Sequence, residues 1–389
     1  MRLAQLLAIS AVVFVGFFDN FSQFPVVAPY ARALGAAPGA IGLAVAIYSV
    51  TNLVGNLLAG HLLDHLGRKR LLVAGLGLAG MAVLLYSAAR TPGQLVAIRA
   101  FHGIAAAILA PAAFTLLGDL FPRQERGRAM GASGAFIALA AMVAPAISGL
   151  VRDRWGFEAV FLGVAALLLL TGVGAQLLIG ESHRPQTDRR PAARVFFALL
   201  GRRSLALAYV SAAALTFGLG TLVTHLPLHL SDLGYAGTQT GLSFSAFALV
   251  AMLVMASPAA RGAGARGRLA PAGWGLAAVG VALLLLPSRP EIQAVVAAMA
   301  LYGLGFGLIF PSANAQVADA TSQSERGTAF GIFYAFYSIG VIVGASAAGF
   351  TYEAMTPISP FHLSAVIALP AAALVLLSKA EASATQRAA

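Results

Sequence analysis

The chain contains no cysteine, so neither a disulfide framework nor a thiolate metal site is open to it. Charge is almost as scarce. Asp, Glu, Lys and Arg make up 10% of its 389 residues, where soluble domains carry about 25%. Fourteen acidic and 25 basic side chains cannot clothe a soluble surface of this size. A soluble enzyme, a disordered chain and a nucleic-acid module are all poor fits. Lysine is nearly missing, with Lys69 and Lys379 standing beside abundant arginine. That bias points to a GC-rich bacterial genome. What fills the chain is apolar: 59% of residues are hydrophobic and the mean hydropathy is +0.84. The solvent for most of its surface is expected to be lipid.

A helix needs roughly 20 apolar residues to cross the hydrocarbon core. Uncharged stretches of about that length cover 33–63, 71–89, 129–151, 159–180, 204–231, 233–260, 269–288, 292–318, 327–352 and 354–378. Two further stretches, 3–31 and 91–118, are each broken by one charge, Asp19 and Arg99. Twelve spans are therefore expected. With alternating loops, 19 Lys and Arg fall on one side and five on the other, Arg99 being left over. The positive-inside rule then places both termini in the cytoplasm. The net charge of +11 is a topology signal, and nothing in it calls for a nucleic-acid partner. The first apolar run outlasts a signal peptide and is taken as an uncleaved span.

The chain is written twice. Gly103, Pro111, Asp119, Glu125, Arg126 and Gly131 recur 200 residues on as Gly303, Pro311, Asp319, Glu325, Arg326 and Gly331. Leu34-Gly35 recurs as Leu233-Gly234, and Gly67-Arg68 as Gly267-Arg268. The expected fold is an all-α membrane protein of twelve transmembrane helices in two homologous six-helix bundles, 1–180 and 204–389. Residues 181–203 form an Arg-rich cytoplasmic linker, in which 195–200 can lie as a short helix on the membrane surface. Two parallel six-span repeats are a transporter architecture, working by rocking one half against the other.

Between spans 2 and 3 stands Gly60-His61-Leu62-Leu63-Asp64-His65-Leu66-Gly67-Arg68-Lys69-Arg70. It resembles motif A of the major facilitator superfamily, G-x-L-x-D-x-x-G-R-[KR]-[KR], at every defining position. A basic loop alone would explain the cations but not Gly60, Asp64 and Gly67 at this spacing. Arg99-Ala100-Phe101-His102-Gly103 is similar to motif B, R-x-x-Q-G, with His102 in the Gln place. Ala140, Ala144, Pro145, Ser148 and Gly149 resemble motif C of the twelve-span drug:proton antiporters, with small residues replacing three glycines. The resemblance implies the major facilitator fold. It implies a gating role for Gly60, Asp64, Gly67, Arg68, Lys69 and Arg128, with Asp64 latching the outward-open state. Gly264 stands where Asp64 would recur, so the latch is expected on one side only.

Ionisable residues inside a membrane are costly and suggest function. Asp19, Arg99 and His102 are the proton-coupling candidates. Asp19 can carry a proton whose release depends on its distance from Arg99. The plainer alternative is a fixed structural ion pair. His102, one turn from Arg99, can relay protons or hydrogen-bond a substrate. His225 and His229 share a helix face, but no further ligand stands near them, and no metal or other cofactor is expected. Polar and aromatic residues mark a substrate cavity: Phe21, Gln23, Asn52, Asn56, Thr224, His225, Asn314, Tyr334 and Tyr337. Spans 3, 6, 9 and 12 are poorer in such groups, which agrees with their peripheral place in the family. A cavity of this kind suits an amphipathic organic molecule, neutral or cationic.

The run Gly75-Leu76-Gly77-Leu78-Ala79-Gly80 matches a dinucleotide fingerprint but sits in an apolar span without βαβ context. No P-loop signature occurs, so transport is expected to be driven by gradients. No nucleophile–base pair or metal cluster suggests an enzyme. The expected activity is proton-coupled efflux of a small amphipathic compound by a monomer in the bacterial inner membrane. Its partners are that small-molecule substrate, protons and the lipid bilayer. A proton symporter importing an organic solute is the alternative.

Overall fold

A computed structural model describes residues 2–121, 123–181, 193–257, 269–323, 325–354 and 359–388. Within them, side chains are not described at 2–4, 60, 61, 64, 123–128, 193, 194, 269, 354 and 379–388. Gly60 and the side chains of Asp64 and Arg128 thus lie outside the described set, as does Gly264.

Among the described residues every regular element is helical. The first half holds α1 (Arg2–Ser22), α2 (Val27–Ala33), α3 (Pro38–Leu66), α4 (Arg68–Tyr86), α5 (Pro92–Ala106), α6 (Leu109–Leu120) and α7 (Arg123–Leu178). The second holds α8 (Ala193–Gly201), α9 (Arg203–Asp232), α10 (Gly237–Ala256), α11 (Leu269–Leu285), α12 (Ile292–Asp319), α13 (Arg326–Ala354) and α14 (Pro360–Ala388). Eleven segments are long and apolar enough to cross a membrane. One of them, Ala129–Leu178, has 50 residues. As a straight helix it would run about 75 Å, more than twice the roughly 30 Å of the hydrocarbon core. Gly156, at φ +84° and ψ 178°, breaks it into two crossings. The eleven segments therefore give the expected twelve spans.

Local chemistry explains where helices stop. Gly35 and Gly234, at φ +83° and +84°, end α2 and α9 with the same pair of bonds. Ala36 N–H donates to Ala31 O and Gly35 N–H to Arg32 O; Tyr235 N–H donates to Leu230 O and Gly234 N–H to Ser231 O. Both are Schellman caps, which need a residue free to adopt positive φ. The sequence repeat is thus also a repeat of backbone conformation. Pro111 cannot donate to the Ala107 carbonyl and its ring crowds it. The helix breaks there, between α5 and α6. Thr91 caps α5, its hydroxyl accepting from Gln94 N–H at 3.3 Å, with Pro92 next in line.

The chain packs as two compact units, Met1–Asp188 with Pro227–Ser245, and Arg189–Leu226 with Ala246–Ala389. The boundary passes through α9 and α10, so the turn joining them belongs to the first unit. In the second unit, α9 and α13 approach until backbone meets backbone. A Cβ at Gly344 would fall on the Phe217 carbonyl, and one at Gly340 on the Ala213 carbonyl. This is small-xxx-small packing of membrane helices. Two of the glycines of Gly75–Gly80 also serve packing: Gly75 faces Leu109 and Gly80 faces Leu169.

Beside the α9–α13 seam is an apolar cavity of about 600 Å³, walled by Ala213, Ala214, Phe217, Phe336, Gly340 and Pro370 among others. In the first half Phe14 packs with its ring 6.5 Å from that of Phe136, whereas Ala214 leaves this cavity open beside Phe336. Phe14→Ala is expected to destabilise the protein by about 2–4 kcal/mol. Ala214→Phe is expected to leave stability unchanged or raise it. Thermal unfolding of both variants in the same detergent checks this; a larger loss for Ala214→Phe would contradict it.

Candidate functional site

Asp19 and His102 are fully buried in the first unit, each at 0% exposure. Burying a polar group without partners is costly, and the partners of these two form a chain. His102 Nε2 lies 2.8 Å from Asp19 Oδ2, and His102 Nδ1 lies 2.8 Å from the Tyr86 hydroxyl. Arg99 Nη1 donates to that hydroxyl at 3.5 Å. The arginine is further held by its Nε–H bond to Ala44 O at 3.0 Å and by the Tyr48 ring, 4.6 Å from the guanidinium carbon. Gln23 Nε2 donates to Asp19 Oδ1 at 3.5 Å, while Gln23 Oε1, itself buried, has no hydrogen-bond partner. Tyr30 fixes the end of α4 by donating to the Tyr86 carbonyl at 2.6 Å.

The three proton-coupling candidates are thus brought together, with one change of order. Asp19 and Arg99 are linked through His102 and Tyr86, and the direct partner of Asp19 is His102. Helix geometry sets this up. Arg99 and His102 sit three apart on α5 and share a face, which turns toward α1, α3 and α4. Tyr86 comes from span 3, where the poverty of polar groups pointed to the periphery; sequence reasoning missed it. The signal available was a tyrosine at the end of an otherwise aliphatic span.

The gating candidates are partly visible. Gly67, at φ +88°, ends α3 where any side chain would be strained and would meet the Glu181 carboxylate at 3.1 Å. That carboxylate accepts from Lys69 N–H at 3.1 Å. Arg68 is 1% exposed and forms an ion pair with Asp119, at the end of α6. A buried guanidinium requires such a partner. Asp119 stood out in the sequence only as a repeated residue.

The cavity candidates fall into groups. Phe21 joins an aromatic row in the first unit, with ring centroids 6.1 Å from Phe17 and 5.4 Å from Phe24, which lies 5.4 Å from Phe244. Asn52 donates to Gly103 O at 3.2 Å, and exposed Asn56 donates to Asn52 Oδ1 at 2.8 Å. In the second unit, Tyr337 lies 6.2 Å from Phe310, which lies 6.4 Å from Phe333, itself 5.4 Å from Tyr334. Tyr334 is exposed. Asn314 donates to Phe310 O at 2.8 Å. Thr224 is buried and turns its hydroxyl to Gly220 O at 2.9 Å. His225 is buried with its ring 4.9 Å from those of Tyr352 and Phe361.

The sequence profile described as Major Facilitator Superfamily matches residues 9–269 and 231–389. The chain belongs to the major facilitator superfamily. It is a multi-pass membrane transporter with the superfamily's twelve-helix fold. The inner membrane transport protein YajR of Escherichia coli (strain K12) is 25% identical over 338 residues, 85% of this chain and 73% of that protein. Multidrug resistance protein 1 of Bacillus subtilis (strain 168) is 23% identical over 372 residues, 95% of each. A crystal structure of a bacterial homolog of the human lysosomal transporter Spinster, inward-facing and unoccupied, superposes with a TM-score of 0.78 over 97% of both chains. At 14% identity that likeness speaks for the fold alone.

The segment that resembles motif C also finds its reason in this structure. A Cβ at Gly149 would fall on the Gly237 carbonyl, and Gly241 lies against the Pro145 carbonyl, so α7 and α10 touch backbone to backbone. Asp153 ties the same pair, accepting from Gly237 N–H at 2.8 Å and from Thr238 N–H at 2.6 Å. A carboxylate at a helix N-terminus is favoured by the helix dipole.

An ion pair joins Arg202, just before α9, to Glu325 in the α12–α13 turn. Glu325 accepts from Ser322 N–H at 3.1 Å and from Ser322 Oγ at 2.9 Å, and Arg202 donates to it at 3.1 Å. The Ser322 backbone bond first, then the Arg202 bond, hold the Glu325 carboxyl at about 2, well below the ordinary 4.5. The stabilisation is therefore complete above pH 4.5 and is lost as pH falls from there toward 2. Hydrogen exchange at Ser322 and Ala329 is expected to be flat from pH 8 to 5, after correction for intrinsic rates, and to accelerate below pH 4. Glu325→Gln should show the fast exchange already at pH 7. Loss of protection between pH 7 and 5 in the wild type would refute it.

Proposed function

We propose that the protein is a secondary transporter, and not an enzyme, that exports small amphipathic organic compounds in exchange for protons. The buried Asp19–His102 pair carries this reading. It is a proton-binding group at span depth, isolated from solvent, and such groups are kept in membranes for coupling. The names of relatives, multidrug resistance proteins and efflux pumps, support export. Two six-helix bundles, 1–180 and 204–389, joined by the linker 181–203, would alternate access. The basic ends, with Arg68 and both termini, would face the cytoplasm of a bacterial cell across its inner membrane.

The substrate surface would combine the aromatic row at Phe21 and the aromatic group at Tyr334 and Tyr337 with the amides of Gln23, Asn52, Asn56 and Asn314. Gln23 Oε1 offers an unused acceptor beside Asp19. Thr224 and His225 would shape the wall through packing. Gly67, Arg68 and Lys69 would form the gate, together with Gly60, Asp64 and Arg128. The protein would work as a monomer.

The test is expression in an efflux-deficient bacterium challenged with a panel of toxic amphipathic cations and neutral compounds. Resistance to at least one compound should rise at least fourfold and vanish with Asp19→Asn. Increased sensitivity would replace export by import, and resistance that persists in Asp19→Asn would remove Asp19 from the coupling.

A further inference from the structure

The donors and acceptors of the buried chain can be followed one by one. With Asp19 ionised and His102 neutral, His102 Nε2–H donates to Asp19, and Nδ1 accepts from the Tyr86 hydroxyl. The hydroxyl oxygen in turn accepts from Arg99 Nη1. Every bond then runs in one direction, from Arg99 through Tyr86 and His102 to Asp19.

One added proton reverses part of that order. If it sits on Asp19 Oδ2, Oδ1 being taken up by the Gln23 Nε2 donor, the carboxyl donates to Nε2 and the ring proton moves to Nδ1. If it sits on the ring, both nitrogens carry hydrogen. In either case Nδ1–H must donate to Tyr86. The hydroxyl hydrogen has to swing away, and the direction left to it is toward Arg99, where it meets a donor. Among the described residues, the titratable and charged groups that face the pair are Tyr48 of α3, Tyr86 of α4 and Arg99 of α5. None of them supplies an alternative acceptor to Nδ1, since Tyr48 meets the His102 ring edge-to-face at 5.2 Å.

We propose that Tyr86 is a positioning residue that transmits the protonation state of the Asp19–His102 pair to Arg99. This deepens the proton-coupling reading above and rests on it. Protonation turns Tyr86 from donor to acceptor on the His102 side and breaks its contact with Arg99. Arg99 is then held by Ala44 O and the Tyr48 ring alone, both on α3. A local proton thereby changes how α5 grips α3 and α4, the kind of two-state contact that conformational coupling requires.

Solid-state NMR of the full chain in lipid bilayers tests this, with ¹³Cζ-tyrosine, ring-labelled histidine and ¹⁵Nε-arginine. Tyr86 is assigned through its contact with His102, so no variant is needed for the wild-type measurement. Scanned from pH 5 to 9, the Tyr86 Cζ, His102 ring and Arg99 Nε signals should move together. In Tyr86→Phe the His102 signal should still titrate while Arg99 Nε loses its pH dependence. A Tyr86 signal that stays flat while His102 titrates would overturn the role of Tyr86 and leave proton coupling standing. Arg99 keeping its pH dependence in Tyr86→Phe would overturn that role equally. If neither His102 nor Tyr86 responds across that range, the pair exchanges no proton and both proposals fall.

Discussion

Asp19→Asn is expected to abolish uphill export while leaving downhill flux intact. The amide keeps the size of the carboxyl and can still accept from His102 Nε2, now 2.8 Å from the carboxylate, so the fold should survive. What disappears is the negative charge and the capacity to cycle a proton with His102. A pH gradient of one unit is worth about 1.4 kcal/mol per proton and supports roughly a tenfold solute gradient at one-to-one exchange. In proteoliposomes loaded with ethidium or another compound from the resistance panel, the wild type should approach that ratio. Asp19→Asn should settle at unity. Wild-type accumulation by the variant would show that the buried pair is a structural ion pair after all. His102→Gln restores the residue of the motif that α5 resembles, and it should keep the fold while moving the pH profile of export.

The second large effect is structural. Gly344→Leu is expected to cost at least about 3 kcal/mol, as a severe case of overpacking, and to remove most of the folded yield. No rotamer change helps, because the obstacle is the Phe217 backbone carbonyl of α9. The repeat along the seam leaves no room to slide, since a Cβ at Gly220 would fall on the Val341 carbonyl and one at Gly340 on the Thr216 hydroxyl. The same helix provides the control. Nothing lies within 4 Å of a Cβ built on Gly331, and the residue is exposed. Gly331→Ala should therefore be tolerated and gain up to about 1 kcal/mol of helix propensity. Size-exclusion profiles and melting temperatures of the two variants in one detergent separate them. A folded, wild-type-like Gly344→Leu would mean that the seam opens without penalty.

These two predictions draw on different levels of information. Asp19 stands out in the sequence because a carboxyl in an apolar run has no cheap explanation. The Gly340/Gly344 seam could be suspected from spacing, but its partner could not. Small residues four apart say that something approaches; they do not say that it is Phe217 and Ala213. The same holds for Arg68. Its place in the motif was plain, yet its ion pair with Asp119 depends on how the ends of α4 and α6 meet. His225 looked like a polar lining group, and the structure packs it against two aromatic rings. Hydrophobicity by residue type cannot tell an imidazole facing a cavity from one stacked in a core.

The sequence by itself determined the number of crossings, the turn at Gly67, the twofold repeat and the family. The reason is that a bilayer imposes one-dimensional constraints: length of apolar run, position of charge, and glycine where φ must be positive. The tertiary structure alone decided which side chains meet. Asp19 and His102 are 83 residues apart, and His102 and Tyr86 are 16 apart on antiparallel spans. Their contacts follow from the rotation and depth of helices about one another, quantities that no periodicity along a single chain records. That is why a loose pairing of Asp19 with Arg99 became a four-residue chain with a tyrosine from span 3 inside it.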